Sequence, residues 1–169
     1  MDRRIGLVLD PVFLSHRTGN GHPESHDRLE AVRELLESSG LAARCRKMAP
    51  VPADRSALAL AHDGAYLEQV EQACAAGATA LDPDTAICRD SMDAARLAAG
   101  SVAEMCRLVA EGELDAGFAA VRPPGHHAER DRAMGFCLIN HIAVAAESLL
   151  QRHDVNRVLV VDWDVHHGN

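Results

Sequence analysis

The chain has 169 residues, 47% hydrophobic and 25% charged, a balance that excludes extended disorder and at this length points to one domain. Seventeen basic against 25 acidic residues leave a net charge of −8, which speaks against nucleic acid as a direct ligand. No apolar run reaches the roughly 18 residues of a membrane span, and the apolar stretch near the start is too short for a signal-peptide core, so a cytoplasmic location without a membrane partner is expected.

The sequence IGLVL over residues 5–9 reads as a buried strand, and a loop rich in Gly, His and Pro follows over about 15–25. A helix is predicted over 26–38, with Leu29, Val32, Leu35 and Leu36 on one face and Gly40 just past its end. Residues 43–47 form a candidate short strand, 55–61 and 64–76 two alanine-rich helices, and 81–85 a turn. A long helix is predicted over 90–110, a buried strand over 117–121, a helix over 137–150 and a continuous apolar strand over 157–162. Uniformly apolar strands between helices imply crossover units and a mainly parallel sheet buried on both faces. No repeat, linker or low-complexity stretch divides the chain, so residues 1–169 are read as one domain. Because it stops just after its most apolar strand, the fold is expected to be incomplete there.

Cys45, Cys74, Cys88, Cys106 and Cys137 are odd in number and widely spaced, with no C-x-x-C pair. This argues against a disulfide framework or a thiolate zinc knot, and most are read as small buried residues.

Ligands of open parallel sheets bind at the carboxyl ends of the strands. The two most polar clusters stand there. Arg122-Pro-Pro-Gly-His126-His127 follows one strand, with Gly135-Phe136-Cys137 close behind, and Asp162-Trp-Asp164-Val-His166-His167-Gly-Asn169 follows another. If the chain stays extended past residue 161, Asp162, Asp164 and His166 share one side. Two close carboxylates call for a proton or a cation, and carboxylate with imidazole suits zinc or another divalent first-row ion. So many titratable groups beside a core are costly without a role. His126 and His127 sit on a turn stiffened by two prolines and can act as general base or acid. Asp162 and Asn169 are candidates to stand behind them and fix their tautomers. Phe136 is either a core aromatic or the wall of a substrate slot.

These two clusters, together with His22-Pro-Glu24-Ser-His-Asp-Arg28-Leu and His62-Asp-Gly-Ala-Tyr66-Leu, resemble the motifs of the histone deacetylase family, in family order. The likeness is to its class II, bacterial amidohydrolase and acetylpolyamine amidohydrolase branches. It implies a three-layer α/β/α, arginase-like fold, of which this chain is the amino-terminal part. It also implies zinc-dependent hydrolysis of an acetyl-amide, on an acetylated lysine or an acetylpolyamine. By the resemblance Asp164 and His166 are zinc ligands, and His126 and His127 are the catalytic pair backed by Asp162 and Asn169. Gly135 and Phe136 line the acyl tunnel, and Asp84 holds the substrate backbone. Arg28 lines an internal acetate channel, and Asp162 belongs to a structural potassium site. The family's third zinc ligand and its oxyanion-stabilising Tyr lie downstream of residue 169. These residues alone are therefore expected to bind zinc weakly and to be inactive. Tyr66 is read as packing. Two alternatives stand beside this reading: a ureohydrolase-like enzyme with two manganese ions, and a non-catalytic fragment.

Overall fold

The computed structural model describes residues 3–152 and 155–169. Strands β1 (Ile5–Leu9), β2 (Arg46–Lys47) and β3 (Ala116–Ala120) form a parallel sheet in the order β2-β1-β3. Leu7 stands opposite Lys47 on one side and Phe118 on the other. The helices are α1 (His26–Ser38), α2 (Arg55–Leu58), α3 (Gly64–Ala76), α4 (Ser91–Ala110) and α5 (His141–Arg152). Ser25 opens α1 by accepting the Asp27 N–H, and Gly77 closes α3 at a φ of 77° that glycine tolerates at no steric cost. None of these helices, among the described residues, is long and apolar enough to cross a membrane.

Two apolar cores carry the fold. Val8, Phe13, Leu29, Ala98, Met105, Leu108 and Leu114 join β1 to α1 and α4. Leu58, Tyr66, Leu67, Val70, Met92, Leu138, Ile139 and Val144 join α2, α3, α4 and α5. Tyr66 packs as expected: it is buried, its hydroxyl donates to the Leu138 carbonyl at 2.7 Å, and burial pushes the phenol pKa up.

Several expectations need correction. Residues 43–47 are not one strand: a 3-10 turn occupies Ala42–Arg44 and only Arg46–Lys47 pair. The last helix begins at His141, because residues 134–137 close a tight turn in which Met134 and Cys137 exchange backbone hydrogen bonds. Leu35 faces solvent at 65% exposure, since the buried stripe of α1 centres on Leu29. β3 is largely exposed, with Phe118 at 49%. Cys74 and Cys137 are buried, whereas Cys45, Cys88 and Cys106 are only partly so; all five thiols are free. The largest departure is at 157–162, which joins no sheet among the described residues and exposes Leu159, Val160 and Val161. An apolar run states a need for cover, and no described strand supplies it.

Candidate active site

The two polar clusters meet. One cavity of about 480 Å³ is lined by Pro23, Glu24, Arg28, Asp84, Pro124, His126, His127, Met134, Gly135, Phe136, Asp164, Val165 and His166. It gathers eight of the ten residues assigned from sequence, and the other two, Asp162 and Asn169, stand behind the histidines.

His126 and His127 lie side by side with ring centroids 4.0 Å apart. Nδ1 of His126 is 2.8 Å from Asp162 Oδ2, and Nδ1 of His127 is 3.3 Å from Asn169 Oδ1. An ionised carboxylate accepts only, so His126 carries a proton on Nδ1, and in the neutral ring the Nε2 lone pair is then the free one. The bond from His126 holds the Asp162 carboxyl below its usual range. Asn169 is oriented in turn: its Nδ2 donates to Glu129 Oε1 at 3.0 Å, which leaves Oδ1 for His127, and Arg132 holds Glu129 at 2.5 Å. Asn169 N–H also donates to the His126 carbonyl at 2.9 Å.

Asp164 Oδ2 lies 3.1 Å from His166 Nδ1 and also accepts the His166 backbone N–H at 3.0 Å. That backbone bond, then the imidazole, depress the Asp164 carboxyl pKa. The ring of His166 meets that of His127 edge-on, at 6.1 Å between centroids. These are two possible metal donors at the cavity. Among the described residues, three donors close enough for one ion occur at His26, Asp27 and Glu30, on the exposed start of α1 and off the cavity lining.

Two glycines allow the histidines to sit where they do. A Cβ on Gly135 would lie 2.4 Å from His127 Cδ2, and one on Gly125 would lie 2.7 Å from the Ile139 carbonyl and 2.8 Å from His141 Cδ2. The ring of His141 is enclosed, although the residue keeps some exposed surface. Burial, with the nearby His126, pushes its pKa down to about 4.

Phe136 resolves the open choice toward the cavity wall. It holds a φ of 69°, rare for a residue with a side chain, at the tip of the 134–137 turn. Its N–H donates to buried Thr85 Oγ1 at 3.3 Å, and the His22 ring meets it edge-on at 4.8 Å. Asp84 reaches the rim, its carbonyl 3.3 Å from His22 Nε2, and the side-chain hydrogen bond with Asp82 raises its carboxyl pKa. Arg28 lines this cavity and a second one of about 210 Å³ that shares Glu24, Arg28 and Pro124.

Sequence reasoning gave no role to Glu24, His16, Arg122, Glu129 or His62. Burial marks most of them: His16, Glu24, His62 and Arg122 are each at most 5% exposed. His62 Nε2 accepts the Asn140 N–H at 2.9 Å and ties the start of α3 to the start of α5. The available signal was position: Glu24, Arg122 and His62 lie inside the motifs already singled out, whereas Glu129 and His16 carry no signal at all.

The Histone deacetylase domain profile matches residues 22–169. Histone deacetylase 5 of Arabidopsis thaliana is 44% identical over 180 residues, covering 99% of this chain and 27% of that protein. A histone deacetylase-like amidohydrolase of Pseudomonas aeruginosa is 43% identical, covering 100% of this chain and 49% of that one. The crystal structure of the HDA15 HD domain superposes with a TM-score of 0.94 at 36% identity, over 100% of this chain and 49% of that one. The chain thus spans about half, or less, of the proteins it matches. The mainly parallel sheet and its helices are part of the arginase/deacetylase fold. With the domain profile running from His22 to Asn169 and a fold that superposes throughout, the chain belongs to the histone deacetylase family.

Proposed function

We propose that this chain carries the proton-transfer half and two metal donors of a zinc-dependent deacetylase, which removes an acetyl group from an acetylated lysine or an acetylpolyamine. The observation that carries the reading is the single cavity onto which His126, His127, Asp164 and His166 all open. Zinc with bonds of about 2.0–2.1 Å in tetrahedral geometry sets neighbouring ligand atoms about 3.3 Å apart. Asp164 Oδ2 and His166 Nδ1 are 3.1 Å apart, so this pair suits zinc once the bridging proton is gone. Catalytic zinc takes three protein ligands, so a third completes the set from outside the described cavity lining, and these residues alone are inactive. Bound there, zinc would polarise the scissile carbonyl and lower the pKa of a water.

The histidines do the rest. His126, with Nδ1–H on Asp162, offers Nε2 to take the proton of the attacking water. His127, with Nδ1 opposite the neutral amide of Asn169, is placed to hand a proton to the leaving amine. Gly135 and Phe136 wall the passage of the acyl chain, and Asp84 at the rim takes the substrate backbone. Arg28, shared by both cavities, marks the way out for acetate. A potassium ion is assigned to Asp162, with the carbonyls of Asp164 and His166.

The test is acetate release from an acetyl-lysine peptide and from an acetylpolyamine by the zinc-loaded full-length protein. His127→Ala is expected to lower turnover about 10²–10⁴-fold. Turnover at the parent rate would overturn the reading.

A further inference from the structure

We propose that Glu24 is the positioning residue of the histidine pair, acting through Arg122; its consequence for catalysis rests on the function proposed above. The Arg122 guanidinium is clamped on several sides. Nε and Nη2 donate to the two oxygens of Glu24 at 2.5 and 2.6 Å, and Nη1 reaches the carbonyls of Phe13 and His16 at 3.3 and 3.1 Å. Both residues are buried, at 5% and 2% exposure.

Glu24 is itself fixed. Its N–H donates to His22 Nδ1 at 3.1 Å and its carbonyl accepts from Thr18 Oγ1 at 2.6 Å. His16 Nε2 lies 3.3 Å from Oε2 without a hydrogen-bond geometry of its own, while its Nδ1 meets Ser91 Oγ at 2.8 Å. The clamp therefore runs from the first residue of α4 through His16 and Glu24 to Arg122. From Arg122 the chain passes through two prolines and Gly125 directly into His126 and His127.

A buried ion pair is a poor source of stability, because apolar residues of similar volume usually serve as well or better. A planar, two-pronged pair does fix direction. Glu24 also lines both cavities, so the clamp stands next to the site itself. The pair's position and its low value as glue point to orientation as its purpose.

The experiment compares Glu24→Asp and the double variant Glu24→Leu with Arg122→Met, each checked for folding by circular dichroism. Two-bond ¹H–¹⁵N spectra report the tautomer of every histidine without any metal. The double variant is expected to fold, yet to turn the fixed Nδ1–H tautomer of His126 into a mixture and to displace the His127 signals. Glu24→Asp, which withdraws the carboxylate by one methylene, is expected to give a smaller displacement of the same signals. Parent-like His126 and His127 spectra in the folded double variant, or in a folded Glu24→Asp protein should the double one not fold, would overturn the proposal. Because the histidine signals need no zinc, ring displacement in a protein whose parent form binds no zinc would sustain the positioning role and sink only the function.

Discussion

The turn over residues 122–127 and the segment over 157–169 supply imidazoles and carboxylates to one cavity, yet they are held by different means. The first rests on a packed base: Arg122 is clamped in the interior, and Cys137, met by the backbone of His127 and Ala128, is fully buried, which pushes its thiol up to about 11. The second is held mainly by hydrogen bonds, His126 to Asp162 and Asn169 to the His126 carbonyl and Glu129, with Val160 and Val161 only loosely set against Ile142 and Ala143 across a cavity. Trp163 and Val165 are 92% and 90% exposed. Packing fixes a side chain against many atoms at once, whereas a few exposed polar bonds hold only their own termini. Loss of packed apolar bulk beneath the first region should therefore be read in stability, and changes in the second in ligand binding.

Phe13→Ala tests the first half of that contrast most severely. It empties a fully buried site beside the Arg122 clamp, and a loss of about 3–5 kcal/mol is expected in urea melts. A smaller effect comes from acid. Burial raises the Glu24 carboxyl, but the neighbouring His16 and Arg122 outweigh it and hold the folded pKa at about 2, against 4.5 for the free group. The ionised pair is intact above about pH 4.5, and the stability linked to it drains away as pH falls toward 2. Urea melts at pH 6, 4 and 3 check this, and Glu24→Gln should flatten that part of the acid dependence.

Asp164→Ala probes the other region. It should abolish zinc uptake at the cavity by calorimetry while moving the melting temperature by no more than about 1 °C, because Asp164 touches no core. The smallest effect is expected of Leu159→Lys: within about 0.5 kcal/mol in stability, but with less self-association by light scattering, since it breaks an exposed apolar run.

How much of this was legible beforehand divides along the same line. Helix α1 and helix α3 begin and end where their patterns place them, because Ser25, Gly40 and Gly77 punctuate the chain locally. That the two polar clusters stand at one cavity was legible because so many titratable groups beside a core are costly without a role, whereas Arg28, Asp84 and Gly135 were named only through the resemblance. The strand at 157–162 was misjudged because burial depends on a partner, and Val-Leu-Val-Val says nothing of who provides it. Glu24 and Arg122 each lay inside a motif, but their pairing was out of reach for a related reason: nothing local links residues 98 positions apart.

The central claim is that Asp164 and His166 form one metal site facing the histidine pair. Titrating the protein with zinc while following all histidine side chains by nuclear magnetic resonance tests it directly. The account predicts saturable loss of the Nδ1 proton at His166, with His126 and His127 perturbed but keeping theirs, and no response in Asp164→Ala. Binding confined to His26, at the exposed cluster with Asp27 and Glu30, or an unmoved His166, would contradict it.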